Sequence, residues 1–118
     1  MGVSAGMGEK DFYIGDEAIS KRSLYRLSSP MNRGTITDWD SMEKIWDYTF
    51  QKQLQVLPED HPTLLTLNLG QNKEKTAQIM FEKFSSPSLY LADRAVMSLF
   101  YYGKTSGLVI VLSFLRLY

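Results

Sequence analysis

The chain has 118 residues, 13 basic and 13 acidic side chains, and a formal net charge of zero. That length suits one small domain or a piece of a larger one, and without a basic excess nucleic acid and anionic membranes are poor partners. With no cysteine, 44% hydrophobic and 22% charged residues, the chain has no disulfide framework and no thiolate metal site, and it reads as a cytoplasmic globular protein.

The opening MGVSAGMGEKD has no basic stretch followed by an apolar core, so it is not a signal peptide. Gly6 stands where an N-myristoylation signal needs Ser or Thr. Gly2, Gly6 and Gly8 predict a flexible loop. A helix-like stretch at Asp16–Arg22 follows, then a short strand at Leu24–Leu27, a turn at Pro30, Asn32 and Gly34, and a β-branched strand at Thr35–Thr37. Thr37 and Asp40 have capping-box spacing, and Trp39, Met42, Ile45, Trp46, Phe50 and Leu54 recur on one helical face. Pro58 and Pro62 close that helix. Thr63–Leu67 reads as a short buried strand, and Asn72 as the N-cap of a helix whose inner face carries Ala77, Met80, Phe81 and Phe84. Ser88–Ala92 is another strand, Arg94–Tyr102 a third helix, Gly103 its C-cap, and Gly107 the start of a final β-prone run. Strands alternating with helices predict an α/β fold with parallel crossovers.

Spacing alone points to no chemistry. The glycines of GMGEKD lack the preceding strand that a phosphate cradle needs, so a surface loop is the better reading. His61 has no second histidine, and its neighbours Glu59 and Asp60 lie in a proline-bounded turn, which favours solvation over metal binding. The Trp39–Trp46 and Met80–Phe84 stripes read as core. Leu108 to Leu117 is interrupted by Ser113 and Arg116 and is about half the length of a membrane span.

Four blocks, GMGEKDFYIGDEAISKR, GTITDWDSMEKIWDYTF, PEDHPTLLT and QIMFEKFSSPSLYLADRAVMSLFYYGKTSGLV, carry a resemblance to actins and actin-related proteins from about Gly2 to Val109. The resemblance implies an α/β, partial actin-like (ribonuclease-H-like) fold, an incomplete sheet with flanking helices. Residues 1–29 resemble the DNase-binding loop and small outer subdomain, residues 30–110 part of the large-domain core, and residues 111–118 form a divergent hydrophobic tail. Gly2, Val3, Gly6, Met7, Gly8, Lys10 and Tyr13 follow the family's loop pattern and are the candidate protein-contact residues, since in actin filaments this loop inserts into the neighbouring subunit.

Several departures bear on activity. The resemblance begins inside that loop, past the family's first Gly-rich phosphate loop. Where the family has a second, of Asp-Ser-Gly-Asp-Gly type, this chain reads Val111, Leu112, Ser113, Phe114 and Leu115. The family's water-orienting glutamine falls at Arg94, whose guanidinium only donates hydrogen bonds. Its methylated histidine falls at Arg33, and Leu67 replaces the acidic residue after the LLT strand. The expectation is an actin-like cytoskeletal interaction protein, a pseudo-ATPase with no catalytic residues and no cofactor of its own, although complete family members use ATP and Mg. Actin or actin-binding proteins are the expected partners. The alternatives are a truncated, non-functional product of an actin-related gene and an ATP-binding, filament-forming actin; the phosphate loops discriminate the last. The partial fold also predicts uncovered apolar faces and marginal stability.

Overall fold

The computed structural model describes residues 3–5, 12–68 and 72–110. They fall into two compact units, Met1–Asn32 with Ile36–Val56, and Arg33–Thr35 with Leu57–Tyr118. The architecture is mixed α/β with small sheets.

In the first unit, strands β1 (Val3–Ala5), β2 (Tyr13–Ile14) and β3 (Arg26–Ser28) form an antiparallel sheet in the order β2-β1-β3. Ser4 lies opposite Tyr13 on one side and Leu27 on the other. Helix α1 (Asp16–Ser20) starts after Gly15, whose φ of 68° is open to glycine at little cost, and buries Ala18. The expected strand at Leu24–Leu27 forms two residues later, because 3.2 Å and 2.9 Å turn bonds from Arg22 and Leu24 to Ile19 and Lys21 still wind the chain there.

Helix α2 (Trp39–Tyr48) and the turn after it carry part of the predicted face inward: Ile45, Trp46 and Phe50 are buried, and Ile45 packs with Ile14 and Tyr48, whereas Leu54, expected on the same face, is exposed. Its cap differs from the expectation. Thr37 spends its hydroxyl on the Pro30 carbonyl at 3.3 Å, and Asp38 caps instead, accepting from Ser41 N at 3.2 Å and Ser41 Oγ at 2.6 Å. Those bonds, the hydroxyl's foremost, hold the Asp38 carboxyl below its ordinary pKa. The helix then widens into a π turn over Thr49–Leu54. Thr49 Oγ1 takes the Ile45 carbonyl at 2.8 Å, competing with the regular ladder. Gln55, left-handed at φ 55°, ends it.

Strands β4 (Met31–Asn32) and β5 (Thr35–Ile36) form a short hairpin. Its turn runs through Arg33 at φ 51° and Gly34 at φ 78°, the tandem positive φ that a two-residue turn of right-handed twist demands.

The second unit is built on β6 (Thr63–Leu67), helix α3 (Lys73–Glu82), β7 (Leu89–Asp93) and helix α4 (Arg94–Tyr101). Strands β6 and β7 pair in parallel from Thr63↔Leu89 to Leu67↔Asp93, with α3 as the expected crossover. β6 is half-buried where a fully buried strand was expected, because its residues alternate and Leu64 faces out. The buried side of α3 is Thr76, Ile79 and Met80, joined by Phe84, while Phe81 is exposed. Asn72 stands at the cap position at φ 57°, but its side chain makes no capping bond. The chain reverses after α4 at Gly103, φ 71°, whose N–H donates to the Phe100 carbonyl at 2.9 Å. Residues 107–110 take no regular structure.

Candidate functional site

Of the loop residues read from the sequence, Gly2, Gly6, Met7, Gly8 and Lys10 lie outside the described residues. Val3 lies on β1, in register with Ile14 and Ser28. Tyr13 lies on β2 and its side chain is buried. Its ring centroid is 5.5 Å from that of Tyr25, and Lys21 Nζ sits 4.2 Å above it. Tyr13 therefore does not present its ring to solvent. Lys44 makes a comparable contact, 4.8 Å above the Phe12 ring.

The residues where the resemblance would look for nucleotide chemistry divide in the same way. Val111 to Leu115 lie outside the described residues. Arg94 is described, and its surroundings are specific. The β6–β7 ladder ends at Leu67↔Asp93, so Asn68 and Arg94 leave the sheet as neighbours. The Asp93 carboxylate accepts from Ala95 N at 2.7 Å and Val96 N at 3.2 Å, which fixes the first turn of α4. Arg94 Nη2 donates to Asn68 Oδ1 at 2.5 Å, and Asn68 Nδ2 donates to the Gly34 carbonyl at 3.2 Å. The guanidinium is thus engaged by an amide, in a charge-assisted bond. Spacing gave no hint of Asn68: it lies 26 residues from Arg94 in the chain, and a single Asn after a strand has no distinguishing pattern.

Beside this chain of bonds lies a cavity of about 10 Å³ lined by Leu67, Asn68, Lys73, Leu91, Ala92 and Asp93. That volume is close to the minimum for one water molecule. Among the described residues no group of three or more His, Asp or Glu side chains is placed to hold a metal ion. His61 is exposed in the turn after Pro58–Asp60.

A family model described as actin matches residues 1–112 of the chain. The chain belongs to the actin family. Within this actin-family chain the matched range takes in all of the described residues. No helix among the described residues is long and apolar enough to cross a membrane.

The second unit carries large apolar and aromatic side chains that are exposed. Leu64 and Tyr90 face each other across the β6–β7 ladder and are 59% and 63% exposed. Parallel strands ordinarily have both faces covered. Tyr101 and Tyr102 are 83% and 76% exposed and pack edge to face, 5.1 Å apart, at the end of α4.

Proposed function

We propose that this actin-family chain works through protein–protein contacts in the cytoplasmic cytoskeleton, with actin or actin-binding proteins as partners, and does not turn over a nucleotide of its own. The observation that carries the reading is the opposed Leu64–Tyr90 pair, a cross-strand apolar contact left open on a parallel ladder. Aromatic side chains exposed in pairs, as at Tyr101 and Tyr102, are the kind of residue that anchors interfaces. The engagement of Arg94 by Asn68 supports the second half of the reading, since a guanidinium that only donates cannot accept a hydrogen bond from an attacking water. The ribonuclease-H-like sheet of the family is the architecture this reading assigns to β6 and β7.

Co-sedimentation with actin filaments tests the contact role. The chain is expected in the pellet at micromolar concentration, and Tyr90→Ser is expected to weaken that recovery. Recovery only in the supernatant across that range would refute the proposal. In a parallel thermal scan, Mg-ATP is expected to leave the unfolding midpoint unchanged. A rise of several degrees would overturn the non-nucleotide half, because ligand at 100 times its dissociation constant contributes about 2.7 kcal/mol.

A further inference from the structure

We propose that Arg94 and Asn68 form a latch that holds the turn at residues 33–35 closed. The turn has a conformational cost of its own. Arg33 sits at φ 51°, a region that residues with a Cβ avoid, and Gly34 follows at φ 78°. Such a pair persists where the surroundings over-determine it, and Asn68 is one surrounding group that reaches the turn. Its Nδ2 donates to the Gly34 carbonyl, and it sits so close that a Cβ on Gly34 would collide with Nδ2.

Arg94 determines which way that amide faces. An asparagine side chain offers an acceptor on one end and donors on the other. The guanidinium has only donors, so the oxygen of Asn68 must turn toward Arg94 and its nitrogen toward Gly34. The 2.5 Å bond from Arg94 Nη2 to Asn68 Oδ1 is therefore the element that aims the second bond. The Asp93 cap fixes the backbone on which Arg94 stands, and the parallel register places Asn68 next to it. Arg94 acts on the turn only through Asn68, so it is a positioning residue. The latch does not require the proposed contact role to hold.

Trypsin provides the readout, because the turn contains the Arg33–Gly34 peptide bond. Initial cleavage after Arg33 is compared with cleavage after Lys83, at the end of α3 in the same unit. Asn68→Asp keeps an acceptor for Arg94 but has no donor for Gly34, so it should open the turn while the Arg94 contact survives. Loss of one such bond predicts that cleavage after Arg33 rises about 3- to 10-fold relative to Lys83. Asn68→Ala should match it, Arg94→Ala should give a smaller rise, and Arg94→Lys, which keeps a donor, should stay near wild type. Wild-type cleavage at Arg33 in Asn68→Asp would overturn the latch. A rise shared equally by Lys83 would overturn it too, since that reports general loosening of the unit.

Discussion

Thr76 offers a direct test of how α3 is seated. It is fully buried, on the same face as Ile79 and Met80. Its backbone N–H is satisfied by the Asn72 carbonyl at 3.0 Å, but among the described residues its Oγ1 has no hydrogen-bond partner. A buried hydroxyl in that state costs about 1–3 kcal/mol relative to its hydrated, unfolded form. Thr76→Val replaces the hydroxyl with a methyl of similar size, removes that cost and adds an apolar group worth about 0.8 kcal/mol when buried. The two residues have similar helix propensity, so the backbone contributes little to the difference. The expected outcome is a gain of about 1–2 kcal/mol, read from urea titrations followed by far-ultraviolet circular dichroism. Thr76→Ser keeps the hydroxyl and deletes the methyl, and should fall below wild type. If Thr76→Val were destabilising by about 1 kcal/mol or more, Oγ1 would have to be bonded in solution, and the seating of α3 described above would be wrong.

Met80, the other fully buried side chain on α3, should lose about 2–5 kcal/mol on truncation to Ala. Phe81→Ala on the exposed side should cost clearly less in the same titration. Gly34→Ala should lower the thermal midpoint more than Gly15→Ala. Both glycines have positive φ, worth about 1–3 kcal/mol of strain with a Cβ, but only Gly34 also meets Asn68. Asp38 gives a pH prediction. Its folded pKa is lowered, chiefly by the Ser41 hydroxyl, so its stabilising effect is present above the ordinary value of 3.8 and is lost as pH falls through the folded value. Asp38→Asn should flatten the acid limb of a melting-temperature profile and leave its neutral limb nearly parallel to wild type. Finally, the exposed apolar residues of the second unit predict a thermal midpoint below about 55 °C for the isolated chain, within or below the usual mesophile range; a cooperative transition well above it would contradict that.

The sequence was most legible where a single period governs an element. The Ile45 and Trp46 face of α2 needed only the 3.6-residue repeat, and β6 with β7 needed only two β-prone runs separated by a helix. It was less legible where two nearby groups compete for one role. Thr37 and Asp38 both suit a cap, and what decides between them is the Pro30 carbonyl, a partner seven residues away that already holds the Thr37 hydroxyl. On α3 the pattern put Phe81 on the inner face, yet the buried side carries Thr76, Ile79 and Met80. For the candidate site, Arg94 could be singled out by resemblance to the family, whereas its partner could not. Asn68 acquires its role from the β6–β7 register, which is a tertiary fact.

That register also bears on how the contact role and the latch relate. Leu64–Tyr90 and Leu67–Asp93 are rungs of one ladder, the first open to solvent and the last leading directly into the Asn68–Arg94 bond.

 The ladder's outer face is the part a partner would cover, and its carboxyl end is the part that holds the turn. Covering Leu64 and Tyr90 would stiffen β6 and β7 and hence the platform on which Asn68 and Arg94 stand. A bound partner should therefore slow trypsin at Arg33 even though it touches neither Asn68 nor Arg94. Tyr90→Ser, which weakens the contact without altering the latch, should abolish that slowing while leaving cleavage of the free chain unchanged. If a partner bound at Tyr90 left cleavage at Arg33 untouched, the face and the latch would be separate devices that share a sheet.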